Sequence, residues 1–263
     1  MLIRFDSLGD FARRAGAVLS PSWSSGSWYG DISHARAGEL ALSGDDSLVP
    51  QAETLLEQLD AAIDITHSTW QPSVYGAYPI VPEFLAGASP DYMRRRQVCS
   101  DDVSPITIYV STTCSASLEA DAMLKRGVAI LALVLKLQAM RPVKLILLAE
   151  THGRSNGECL QAIEINSQPL DLATICFALT HVGFARHLTY SLARELDGFN
   201  GSWPNQYGDG GARWEAHIRP ILDMQPQDLY IGAARSWDEA ITNPVPWVNA
   251  QIEHFRNLNE REN

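Results

Sequence analysis

A chain of 263 residues, 46% apolar and 19% charged, is long enough to bury a sizeable core and too apolar to be disordered throughout. Its 18 Gly and 14 Pro exclude collagen-like and low-complexity designs. With 20 Lys and Arg against 31 Asp and Glu, the formal charge of −11 argues against a protein that coats nucleic acid, which needs a basic face.

The first hundred residues read as short helices and loops. Residues 5–19 carry Phe5, Leu8, Phe11, Ala15 and Leu19 at helical spacing and stop at Pro21. Residues 22–30 form a Ser/Trp/Gly loop with aromatic anchors, and 32–42 fit a helix ended by Gly44. Residues 49–65 place Leu55, Leu56, Leu59 and Ile63 on one helical face. Residues 70–79 are too rich in Pro and Gly for regular structure, and 82–87 predict a single helical turn. Residues 91–96 end in the one basic run, Arg94, Arg95 and Arg96.

From Pro105 onward strand and helix patterns alternate. Residues 106–110 read as a strand, 111–117 as a polar loop, and 118–140 as a long helix with Ser117 as its N-cap. A second buried strand covers 143–149, and a turn leads to an edge strand over 159–165. Residues 170–196 predict one long helix, 228–232 a short strand, and 236–241 and 246–258 helices. The Gly-rich stretch around 198–211, with Trp203, Tyr207 and Trp214, reads as a loop pinned by aromatic side chains. This order predicts an α/β fold: an open, mostly parallel sheet flanked by helices, formed by residues 105–263. Residues 1–104 are expected to be a helix- and loop-rich region packed on it.

Cys99, Cys114, Cys159 and Cys176 form no CxxC or CxH element, so free thiols in a reducing compartment are expected, with no zinc. No secretory leader is visible at the N-terminus, and the longest apolar segment, 128–137, is half a membrane span and contains Lys136. The expected setting is the cytoplasm, with no membrane partner.

The segment Ser111-Thr112-Thr113-Cys114-Ser115, at the end of a strand and before a helix, resembles the cation-binding loop of the von Willebrand factor A family. In that family the loop reads Asp-x-Ser-x-Ser and holds a divalent cation. By position the resemblance puts Ser111 in the place of the Asp, with Thr113 and Ser115 in the two hydroxyl places. The family's further Asp falls near Gly232, Ala233 and Ala234, where no carboxylate stands. The resemblance therefore implies the fold and argues against the metal, because Mg²⁺ requires hard anionic ligands. The segments Trp28-Tyr29-Gly30, Gly44-Asp45, 81–87 and Arg126-Gly127-Val128-Ala129 also resemble an uncharacterised family of tailed phages and mobile elements. That likeness implies a phage or mobile-element origin.

Among candidate sites the hydroxyl loop ranks first, because open α/β sheets bind ligands where parallel strands end and helices begin. Ser111, Thr113 and Ser115 are the expected contact residues for a protein or an anion, and helix capping alone is the bland alternative. Arg94, Arg95 and Arg96 are a second candidate contact, set against a solvated face. His181 and His187, six apart, cannot share a metal on one helix face, and Cys114 lacks any flanking catalytic signature. The carboxylates offer no evident pair, and the clustered Trp and Tyr fit either packing or a contact surface. No catalytic residue, metal or cofactor is expected. The reading is a non-catalytic binding or assembly protein that meets a protein partner or its own copies. The alternatives are an enzyme with its site at the strand ends and a nucleic-acid accessory factor.

Overall fold

The computed structural model describes residues 1–18, 26–47, 105–140, 142–152, 158–165, 172–196 and 212–260, with short pieces in 49–58, 70–73, 78–79, 93–96 and 206–207. The helices expected over 49–65 and 82–87 lie almost wholly outside the described residues.

The chain begins with strand β1 (Leu2–Phe5), turns at Ser7 and enters helix α1 (Leu8–Gly16). The Ser7 side chain caps α1 by accepting the Asp10 N–H at 3.0 Å. A 3₁₀ turn (Ser27–Tyr29) precedes helix α2 (His34–Ser43), capped in the same way by Ser33. The helix expected from residue 5 therefore starts three residues later, and the residues before it are a strand. Four residues are too few to show a period, and the partner of β1 lies far along the chain, with Leu2 opposite Leu160.

Strands β2 (Trp70–Ser73), β3 (Tyr78–Pro79) and β4 (Met93–Arg96) make a small antiparallel sheet in the order β2-β4-β3. The expectation of no regular structure over 70–79 is corrected here. Pro72 and Pro79 sit on the two outer strands of this sheet, where a missing N–H costs no ladder bond.

The main sheet takes β5 (Ile106–Ser111), β6 (Val143–His152), β7 (Glu158–Ile165) and β9 (Leu229–Ile231), with β1 at one end, in the order β1-β7-β6-β5-β9. A two-residue strand β8 (Gln206–Tyr207) pairs with the end of β6. All pairings along the main path are parallel except β6 with β7. This is the open, mostly parallel α/β sheet expected, although β7 is an inner strand because β1 covers its far side.

Alternation along the strands separates two apolar layers. Ile106, Ile108, Val110, Val143, Leu145, Leu147, Ile163 and Ile165 face the larger layer. Tyr109, Ile146, Leu148, Leu160 and Ala162 face the smaller one. Helix α3 (Ala120–Met140) fills the larger layer, with every residue from Arg126 to Val134 buried. Helices α1, α2, α4 (Leu172–Thr180) and α8 (Pro244–Glu260) pack around it. On the other face, α6 (Ala212–Leu222) lays Ile218 and Leu222 on the sheet. That helix replaces the last part of the aromatic loop expected there.

The helix expected over 170–196 is broken. After α4 the His181 ring accepts the Gly183 N–H at 3.0 Å, a π-helical turn runs over Phe184–Thr189, and α5 (Tyr190–Leu196) follows. Helix α3 opens at Ala120, so Ser117 is not its cap; the Ser115 and Ser117 hydroxyls lie 3.1 Å apart. Among the described residues no helix is long and apolar enough to cross a membrane.

Candidate functional site

Strands β6 and β9 flank β5 in parallel, and a polar network gathers where β5 and β9 end. Ser111 is the last residue of β5, and its hydroxyl donates to the Glu150 carboxylate at 3.0 Å. The Tyr230 hydroxyl of β9 donates to the other carboxylate oxygen at 2.9 Å. The Glu150 N–H reaches the Thr113 hydroxyl at 3.2 Å, and the Thr112 hydroxyl donates to the Leu148 carbonyl at 2.9 Å. Ser111, Thr112, Thr113 and Glu150 are all 0% exposed. Beyond Ser111 the chain continues beside the segment after β9, bridging Cys114 to Ala234.

A buried cation serves this region. Arg126 projects from the first turns of α3 and is 0% exposed. Its Nε donates to the Asp238 carboxylate at 3.0 Å, one terminal nitrogen to the Ser111 carbonyl at 3.3 Å, and the other to the Gly232 carbonyl. Asp238 is the N-cap of a short helix α7 (Glu239–Thr242), accepting the Ala240 N–H at 3.0 Å. The planar guanidinium thus fits one carboxylate and two strand-end carbonyls at once, a geometry a Lys ammonium cannot reproduce. Next to it, Gly127 lets α3 approach α4, since a Cβ there would lie 2.7 Å from the Leu179 carbonyl oxygen.

A second buried arginine supports the loop from the other side. Arg186, on the π-helical turn, donates to the Ser115 carbonyl at 2.8 Å, the Leu118 carbonyl at 3.2 Å and the Trp28 carbonyl at 2.5 Å. Its guanidinium also lies 4.7 Å from the centre of the Trp28 ring.

Beside the network opens a cleft of about 240 Å³, lined by Tyr230, Gly232, Arg235, Trp237, Asp238 and Trp247. Trp237 is 70% exposed, with the Arg235 guanidinium 5.5 Å from its ring centre. Tyr230 and Asp238 belong to both the cleft and the network.

Titration adds little chemistry here. Burial, and then the neighbouring Glu150 charge, push the Tyr230 phenol far above its ordinary value, so it remains a donor. Burial raises the Cys114 thiol, and the nearby Arg186 and Arg126 charges offset this only in part. A protonated, buried thiol is no nucleophile. Cys114, Cys159 and Cys176 are buried thiols.

The chain belongs to the family described as Domain of unknown function (DUF7192). The family model matches residues 1–257, nearly the whole chain, so strand β1, the strand-end network and the cleft all fall within it. No curated protein and no solved structure matches.

The structure brings the expected site residues together unevenly. Ser111 and Thr113 lie inside the network with their hydroxyls engaged, while Ser115 is half-buried near the surface. Arg94, Arg95 and Arg96 lie on β4, and their side chains lie outside the described residues. His181 and His187 bond within the fold, to Gly183 and to the Ile32 carbonyl. Glu150, Arg126, Asp238 and Trp237 escaped the reading of the sequence. The signal for Arg126 was its helix face, shared with Ala129, Ile130 and Leu133. The divalent cation held by the von Willebrand factor A loop does not fit these residues. A serine stands in place of the loop's Asp, and Arg126 already occupies the strand-end oxygens. Among the described residues no three His, Cys, Asp or Glu side chains gather in a way that would hold a metal ion.

Proposed function

We propose that this member of the family is a non-catalytic binding or assembly protein, of phage or mobile-element origin and acting in the host cytoplasm. It captures a protein partner at the strand-end cleft without a metal ion. The observation that carries this reading is the buried Arg126 guanidinium on Ser111, Gly232 and Asp238. A divalent cation at strand ends can keep an open coordination position for a partner's carboxylate. An arginine tethered to α3 satisfies the same kind of oxygens and offers no such position, so the contact passes to the exposed side chains alongside. Those are Trp237 and Arg235, residue types that concentrate binding energy in protein interfaces. The hydroxyl loop then shapes the site from within, through its bonds to Glu150 and Arg186. The sequence likeness to tailed-phage chains supports the phage or mobile-element origin.

A photo-reactive amino acid placed at position 237 tests this in the cell that carries the gene, with the exposed Leu42 of α2 as control position. The expected result is one discrete protein adduct from position 237 alone, formed equally with and without a chelator. No discrete adduct, or the same adduct from both positions, overturns the reading. A nuclease-sensitive adduct would favour the nucleic-acid accessory role instead.

A further inference from the structure

Away from the cleft, two histidines hold the N-terminal helices on the interior. His34, the first residue of α2, aims its Nε2 at the Ala15 carbonyl of α1, 3.2 Å away. His187, on the π-helical turn, aims its Nε2 at the Ile32 carbonyl, 2.8 Å away. The two rings meet edge to face with centres 5.9 Å apart, and Tyr29 stacks on His187 at 4.6 Å. A carbonyl only accepts, so each Nε2 carries a proton and donates it. Both Nδ1 atoms are buried and, among the described residues, have no hydrogen-bond partner. A proton taken up there would create an imidazolium with no acceptor, out of water and beside a second histidine.

We propose that His187 is the sensor of a pH-sensitive latch, which holds α1, the 3₁₀ turn and α2 on the π-helical turn while neutral and releases them when protonated. Among the described residues, the groups that act on it are His34 from α2 and His181 from the end of α4, with Tyr29 of the 3₁₀ turn stacked on its ring. Arg194 of α5 acts on that Tyr29, and the neighbouring Arg186 directs its guanidinium to Trp28 and the strand-end loop. None of these groups is acidic. Asp45 acts on His181, and the charged residues at the C-terminal end of α1 sit at the surface, where Arg14 pairs with Glu195. Burial, helped by the His34 and His181 charges, lowers the His187 value to about 4, against the opposing pull of the Ile32 carbonyl. A released histidine titrates near 6.5. Docking is therefore at full strength above that value and weakens as pH falls towards 4, by up to about tenfold per unit. Gly30 makes the fit close: its φ of +78° and a Cβ that would lie 2.5 Å from His181 Cε1 both require glycine. Release would also remove the Trp28 carbonyl from Arg186, which braces the strand-end loop. That consequence rests on the binding reading of the cleft, whereas the latch does not.

Hydrogen–deuterium exchange of the full chain at pH 7.5 and 5.0, corrected for intrinsic rates, tests the latch. In the wild type, peptides from α1 and α2 should gain exchange about tenfold or more at the lower pH, with β5 and β6 unchanged. In His187→Gln, whose amide keeps the donor to Ile32 and does not titrate, the gain should vanish. Should that variant not fold, a proton NMR titration of the wild-type His187 ring decides, with no titration expected above pH 5.5 in the docked state. Equal protection of α1 and α2 at both pH values overturns the latch. So does an undiminished gain in His187→Gln, or a His187 titration near 6.5 with both helices still protected.

Discussion

Arg126 carries its charge to a place without water, and three acceptors share it. Desolvating a guanidinium is costly, and the ion pair with Asp238 offsets that cost only because the two carbonyls take up the remaining N–H groups. Arg126→Met should therefore leave the Asp238 carboxylate and two strand-end carbonyls without their donor. The expected loss is about 3–5 kcal/mol in urea unfolding. Arg126→Lys should recover only part of it, since one ammonium cannot span the three acceptors. Ser111 makes a smaller version of the same argument. Its hydroxyl donates to a carboxylate that is fully buried. Ser111→Ala should cost about 1–3 kcal/mol, the range for leaving a buried acceptor short of a partner. Were the hydroxyl only a surface contact, the variant would melt like the wild type.

Among elements, those whose neighbours lie close in sequence were legible. The run from β5 through α3 to β6 and β7 shows an apolar stretch of strand length, then a long helix, then a second apolar strand and an alternating one, because each element packs against the next. What escaped depended on distant partners. Strand β1 exists because β7 offers it a parallel edge, and nothing within Leu2–Phe5 signals that. The π-helical turn exists because His181 and Arg186 are held by Gly183, Trp28 and the strand-end loop. The candidate site divides in the same way. The hydroxyl loop was visible as a strand-to-helix junction, but its carboxylate arrives from β6, its cation from α3 and its aromatic rim from beyond β9. Gly127 sits at the contact that lets α3 come close enough. Gly127→Ala would push a methyl group against the Leu179 carbonyl, within van der Waals contact, and an overpacked backbone cannot yield as a flexible side chain does. The expected cost is about 1–3 kcal/mol, read as a lower melting temperature. A variant that melts unchanged would mean that α3 and α4 shift apart freely.

At the scale of the whole molecule, the formal charge of −11 and the internal guanidinium lead to one expectation about ions. An acidic protein attracts divalent cations to its surface, so weak, non-stoichiometric association is unremarkable. A specific site would behave differently, because a ligand bound only by the folded state stabilises it by mass action. With free Mg²⁺ a hundredfold above its dissociation constant, the gain would be about 2.7 kcal/mol. In a chain of this size that raises the melting temperature by several degrees. Arg126 already occupies the strand-end oxygens such an ion would use, and displacing it would leave a buried charge without partners. The melting temperature in millimolar Mg²⁺ or Mn²⁺ should therefore equal that in a chelator, and calorimetric titration should show no stoichiometric heat. Arg126→Met sharpens the test. Its loss of stability should not be recovered by adding Mg²⁺. A cation-dependent rise in the wild type would show that the guanidinium yields its place and that the strand ends are a metal site after all.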